Sequence, residues 1–178
     1  ASIAIFYYLT WHAIPDARGS PHFALLYYSD FGESPTGILK NIVLSPQKTF
    51  QTFFQNDQLS YLNQLYLPLG FLSFLSPLYI VFSLPDLLIN LLSNKPQLHQ
   101  IYYQYSSTIT PFIFISSIFA IANLKKWFTK IPNYAYAYCL LLTTLYSAYA
   151  FGPLPFSKSP NIDMFTKPQQ NRDRIEKF

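Results

Sequence analysis

The sequence predicts an all-α, polytopic transmembrane protein with kinked, Pro-rich helices and short interfacial helices. Three observations predict it. Hydrophobic residues make up 51% of the 178-residue chain and charged residues 11%, against about 25% charged in soluble domains. The charges lie between long apolar runs: residues 61–124 hold Asp86 and Lys95, and residues 133–157 hold none. Those runs are continuously apolar rather than alternating, which favours helices over a closed barrel. The same numbers exclude disorder, which needs low hydrophobicity, and the lone Cys139 excludes a disulfide scaffold. The net charge of +4 sits in short clusters such as Lys125, Lys126 and Lys130. A nucleic-acid binder would gather its cations on one face with aromatics between them, so no nucleic-acid partner is expected.

Residues 1–11, ASIAIFYYLTW, are apolar but too short to span a bilayer, and they read as the end of a truncated membrane helix. Residues 12–60 form a polar loop with short interfacial helices. Ser34-Pro35 and Ser45-Pro46 are start signals, a capping hydroxyl followed by proline at the first helical position. Behind them Leu39, Ile42 and Val43, then Phe50, Phe53 and Phe54, repeat at i, i+3, i+4, giving each helix one apolar stripe. Residues 61–151 form the transmembrane region. Within it, 61–93 is interrupted by Pro68, Pro77 and Pro85 and reads as a kinked or hairpin pair. Spanning helices are expected near 105–124 and 133–151. Residues 152–178 turn polar and read as the start of an external soluble segment.

The chemistry-bearing residues are few. His12, His22 and His99 have no i, i+4 partner, so no metal site is expected. Asp30 and Glu33 flank Gly32 in YYSDFGESP. They could hold a divalent ion or a sugar hydroxyl, although an acidic turn before a helix start is the commoner role. Asp86 is the lone acid of the 61–93 run, read either as an intramembrane carboxylate or as a carboxylate at a helix start after Pro85. Tyr102, Tyr103, Gln104 and Tyr105 could stack on sugar rings, or form an interfacial tyrosine belt. No P-loop, GxSxG, CxxC or GxGxxG occurs.

The order of three segments carries a resemblance. YYSDFGESPTGILKNIVLSP is followed by the proline-punctuated string from Tyr61 to Ser93, then by Tyr103-Gln104-Tyr105 and Pro111. This order resembles the bacterial and archaeal predicted membrane protein family called domain of unknown function 2079, over about residues 12–124. The resemblance implies a multi-pass protein of the cell membrane, related to the C-type glycosyltransferases, which take polyprenyl-phosphate sugars as donors. It also implies catalytic acids in a first external loop, expected upstream of this stretch, so the chain reads as a fragment and its catalytic residues are unknown. No cofactor is evident in these residues, and a divalent metal would belong to the full-length protein. The implied partners are the lipid bilayer and a polyprenyl-phosphate sugar. On that basis Asp30, Glu33 and Tyr102–Tyr105 are candidates for the surface of a sugar-lipid pocket. The alternative is a non-catalytic membrane protein, a transporter or an assembly scaffold. Positive-inside bias puts the loop of Lys125, Lys126 and Lys130 in the cytoplasm and the tail from Gly152 outside. Residues 12–60 lie outside if 61–93 is a hairpin, the reading favoured by its proline corner and the loop's lack of a cationic cluster, and inside if 61–93 crosses once.

Overall fold

In the computed structural model, residues 2–19, 23–152, 154 and 156–158 are described. Every regular element among them is helical. The chain divides into two compact units, one of Ala1–Tyr61 with Leu84–Thr108, the other of Leu62–Ser83 with Ile109–Phe178.

The first unit begins with α1 (Ser2–Tyr8), a π-helical segment Leu9–Ala13 and α2 (Ile14–Arg18). Gly19 ends α2 in the left-handed conformation, φ 66°, as helix C-termini often do. A 3-10 segment, Phe23–Tyr28, leads to α3 (Pro35–Leu44) and α4 (Pro46–Phe53). Ser34 caps α3, its Oγ accepting from the Gly37 amide at 3.2 Å, with Pro35 in the first turn. That is the start expected from Ser34-Pro35. The unit is completed by the first residues of α5 (Asn56–Tyr66), by α6 (Leu84–Leu92) and by the 3-10 segments Pro96–His99 and Gln104–Ser106. Its core is Phe31, Ile38 and Leu92, packed on by Leu25, Tyr28, Ile42 and Phe53. The buried members contribute about 1.5–3 kcal/mol each.

The second unit holds α7 (Thr110–Trp127) and α8 (Asn133–Phe151). The segment between α5 and α6 does not form the expected helical pair. It is a series of 3-10 turns at Leu67–Leu69, Leu72–Leu75 and Ile80–Ser83, with Gly70 and Phe71 both left-handed. Pro68 and Pro77 remove backbone donors just where an α-helix would have to continue. Helix α7 packs on the second and third of these turns, with Tyr79 stacked on Phe119 at 4.7 Å and Phe82 on Phe112 at 6.0 Å. Helix α8 packs on the first, where the Thr143 and Thr144 hydroxyls donate to the Pro68 carbonyl at 3.2 and 2.9 Å.

The all-helical expectation holds among the described residues, but the polytopic transmembrane architecture is corrected. No described helix is long and apolar enough to cross a membrane. In α7 the apolar stretch runs only from Phe112 to Ala122, bounded by Thr110-Pro111 and by Asn123, Lys125 and Lys126. That is roughly 16 Å of helix, about half the hydrocarbon thickness. Helix α8 has 19 residues, but Tyr134, Tyr136, Tyr138, Tyr146, Tyr149 and three hydroxyl residues, Thr143, Thr144 and Ser147, dilute its hydropathy. Helix α6 has nine residues, with Asp86 in its first turn beside the positive end of the helix dipole. The inside-outside scheme built on Lys125, Lys126 and Lys130 falls with the spans. His22 and nearly all of 152–178 lie outside the described residues.

Candidate functional site

The first unit contains a polar cleft of about 120 Å³. Its walls come from Asp30, from Thr52 on α4, from Gln55, Asp57 and Gln58 at the start of α5, and from Ser93, Asn94, Pro96 and His99 beyond α6. Of the residues singled out in the sequence for sugar binding, only Asp30 is in this wall. Glu33 lies in a separate, more apolar pocket of about 190 Å³ with Leu25, Leu26 and Ser29. Tyr103 and Tyr105 face each other, ring centroids 6.4 Å apart, but neither they nor Tyr102 and Gln104 line the cleft. Asp86 does not line it either.

Asn90 organises the site from α6. Its amide nitrogen donates to the Tyr61 hydroxyl at 2.9 Å and to the Tyr105 carbonyl at 3.0 Å. Its backbone carbonyl accepts from His99 Nε2 at 2.8 Å. One buried residue thus ties α5, α6 and the segments carrying His99 and Tyr105 together through hydrogen bonds that a buried, low-dielectric setting strengthens. The next residues fasten the other wall. The Ser93 hydroxyl and the Asn94 backbone amide donate to the Tyr27 carbonyl, and Asn94 Nδ2 donates to the Leu26 carbonyl and the Ser29 hydroxyl.

Burial pushes the His99 imidazole below its ordinary value of 6.5, opposed by its bond to Asn90 and by the Asp57 carboxylate. The ring is therefore neutral at neutral pH. Because a carbonyl can only accept, Nε2 carries the hydrogen and Nδ1 keeps its lone pair. Gln58 is 2% exposed. Its Nε2 makes a long contact of 3.4 Å with the Leu91 carbonyl, while its Oε1 is buried with no partner. An orphaned acceptor of this kind costs about 1–3 kcal/mol, so it marks a place where a donor is missing. Asp57 sits in the first turn of α5. Among the described residues no three His, Cys, Asp or Glu side chains gather closely enough to hold a metal ion. Nothing local in the sequence marks Asp57, Gln58 or Asn94, because the chain joins them across more than thirty residues. The signal that exists is the pair Asn90 and Asn94, amides placed four apart beside an otherwise apolar helix.

Against known families, residues 1–177 match the model described as Predicted membrane protein (DUF2079). No curated protein and no solved structure matches the chain.

Proposed function

Because this chain belongs to the DUF2079 family of predicted membrane proteins, we infer that it forms the sugar-holding, membrane-facing part of a glycosyltransferase-like protein supplied by a lipid-linked sugar. One observation carries the reading: the same pair of helices bears a polar cleft wall and an exposed apolar surface. Thr52 of α4 lines the cleft, while Phe50 and the C-cap Phe54 are 63% and 55% exposed, their rings 4.6 Å apart. On α3, Leu39 and Val43 are 67% and 74% exposed. Large apolar side chains left exposed suit a docking or membrane surface, and a polyprenyl-linked sugar needs a polar pocket beside an apolar one.

The chemistry of the cleft suits the sugar end of such a donor. Carboxylates accept from hydroxyl groups, and the acidic wall disfavours the phosphate, which would stay outside it. In this reading the cleft holds the sugar rather than breaking its bond. The test is transfer of label from a radiolabelled polyprenyl-phosphate sugar by the full-length protein in membranes. Asp30→Ala with Asp57→Asn should raise the apparent KM for the donor about tenfold or more, as loss of charge-assisted hydrogen bonds does. An unchanged KM, or no transfer at all, would sink the reading, and the latter would favour the non-catalytic scaffold.

A further inference from the structure

We propose that the turn joining α7 to α8 is a lipid anchor, seating Trp127, Phe128 and Ile131 among the headgroups of an anionic bilayer and pairing Lys125, Lys126 and Lys130 with their phosphates. It lies in the second unit and owes nothing to the cleft or to sugar transfer.

The turn presents these side chains rather than burying them. The Phe128 amide donates to the Leu124 carbonyl at 2.7 Å, and the Ile131 amide donates back to the Phe128 carbonyl at 3.1 Å. Pro132, extended at φ −70° and ψ 150°, precedes α8, and its carbonyl accepts from the Ala135 amide at 3.0 Å. Backbone bonds alone close the reversal. Every residue from 125 to 134 is exposed, Trp127 by 61% and Phe128 by 52%, so none of them serves a core. Large apolar side chains left in water cost free energy that a partner surface recovers.

Charge selects the partner. The described residues of the second unit carry Lys125, Lys126, Lys130 and Lys158 and no acid. Three of these four cations fall within six residues, on both sides of Trp127 and Phe128. Lys125 and Lys126, in the last turn of α7, also offset the negative end of its dipole. That role extends neither to Lys130 nor to the exposed rings. Lipid suits the whole set. Anionic headgroups attract clustered lysines, and lysine stems lie along apolar surface while their ammonium groups reach out to phosphate. Tryptophan, with an apolar body and one N–H donor, settles at headgroup level. A nucleic acid would use the same cations, yet Ile131 offers a base no face to stack on. The family is one of predicted membrane proteins, so a bilayer is the surface at hand.

The test follows Trp127 in the 178-residue chain, with Trp11→Phe leaving it the sole tryptophan. The probes are vesicles of phosphatidylcholine, alone or mixed with phosphatidylglycerol. On the mixed vesicles the Trp127 emission should shift to the blue and be quenched by lipid brominated close to the headgroup. Lys125→Gln, Lys126→Gln and Lys130→Gln together should weaken binding to mixed vesicles about 100-fold, whereas arginine at all three positions should preserve it. Neutral vesicles should bind the parent and the glutamine variant alike. Trp127→Ser with Phe128→Ser, read by flotation, should weaken binding to both kinds of vesicle about 100-fold. The altered side chains are exposed, so the melting midpoints of these variants should match the parent's. Mixed vesicles binding the glutamine variant as tightly as the parent would overturn the proposal. So would a uridylate oligonucleotide or polyglutamate bound more tightly than mixed vesicles. A chain that floats with Trp127 still in water would refute this anchor and leave the α3–α4 face as the lipid contact.

Discussion

His99 is the residue whose environment makes the firmest statement about pH. It is 6% exposed, its Nε2–H is held by the Asn90 carbonyl, and burial lowers its affinity for a proton. In the unfolded chain the same imidazole titrates near 6.5. Between the two values the unfolded state takes up a proton that the folded state refuses, so stability rises with pH through that window. The contribution is complete above about pH 6.5 and is lost as the pH falls below it. The melting midpoint should therefore stay level from about pH 8 to about pH 7 and fall as the pH drops below about 6.5. In His99→Gln that fall should flatten, since glutamine can still donate to Asn90 but does not titrate. Parallel slopes in the two proteins would show that another group governs the acid limb. The buried Asn90, which Tyr61, Tyr105 and His99 all meet, explains why this imidazole is held at the edge of the cleft rather than turned to solvent.

Among the elements, α3 shows how a start signal and a glycine act together. Gly32 has φ +149°, and a methyl group added there would lie 3.3 Å from the Gly37 carbonyl carbon and the Ile38 amide nitrogen. Both neighbours are helix backbone and cannot give way. Gly32→Ala should cost about 1–3 kcal/mol through strain, more than the roughly 1 kcal/mol expected for removing the cap in Ser34→Ala. Chemical denaturation of the two variants gives the comparison, and an equal or smaller loss for Gly32→Ala would contradict the close approach. The beginning of α3 was legible because a capping serine, a following proline and an apolar stripe are all local signals. The beginning of α4 at Ser45-Pro46 was legible for the same reason, although Ser45 makes no side-chain cap. The 61–93 run was not, because apolarity says that a segment avoids water and not whether it coils as α-helix or as 3-10 turns. Its prolines marked the interruptions at Pro68 and Pro77, and Pro85 opens α6 rather than breaking it. Asp30 was found from its turn. Asp57, Gln58 and Asn94 were not, since only tertiary contacts bring them to it.

At the scale of the whole molecule, the composition that suggested spanning helices has another outlet. A chain with 51% hydrophobic and 11% charged residues cannot hide all its apolar side chains in two small units. In the first unit Leu39, Val43, Phe50 and Phe54 are exposed, and in the second Ile118 of α7 and Leu141, Leu142 and Leu145 of α8. No described helix is long and apolar enough to cross a bilayer, and exposed apolar faces of this kind suit a place in its interface. Each large apolar side chain moved there contributes about 1–2 kcal/mol, or roughly tenfold in partitioning. The net charge of +4 adds attraction to anionic lipid that salt screens. The chain should therefore float with neutral as well as anionic vesicles, and added salt should reduce only the anionic component. Replacing Leu39, Val43, Phe50 and Phe54 together by serine should lower partitioning on neutral vesicles on the order of 10⁴-fold. Because these side chains are exposed, the melting midpoint should move little. Flotation that survives the four substitutions unchanged would show that the α3–α4 face is not what meets the lipid.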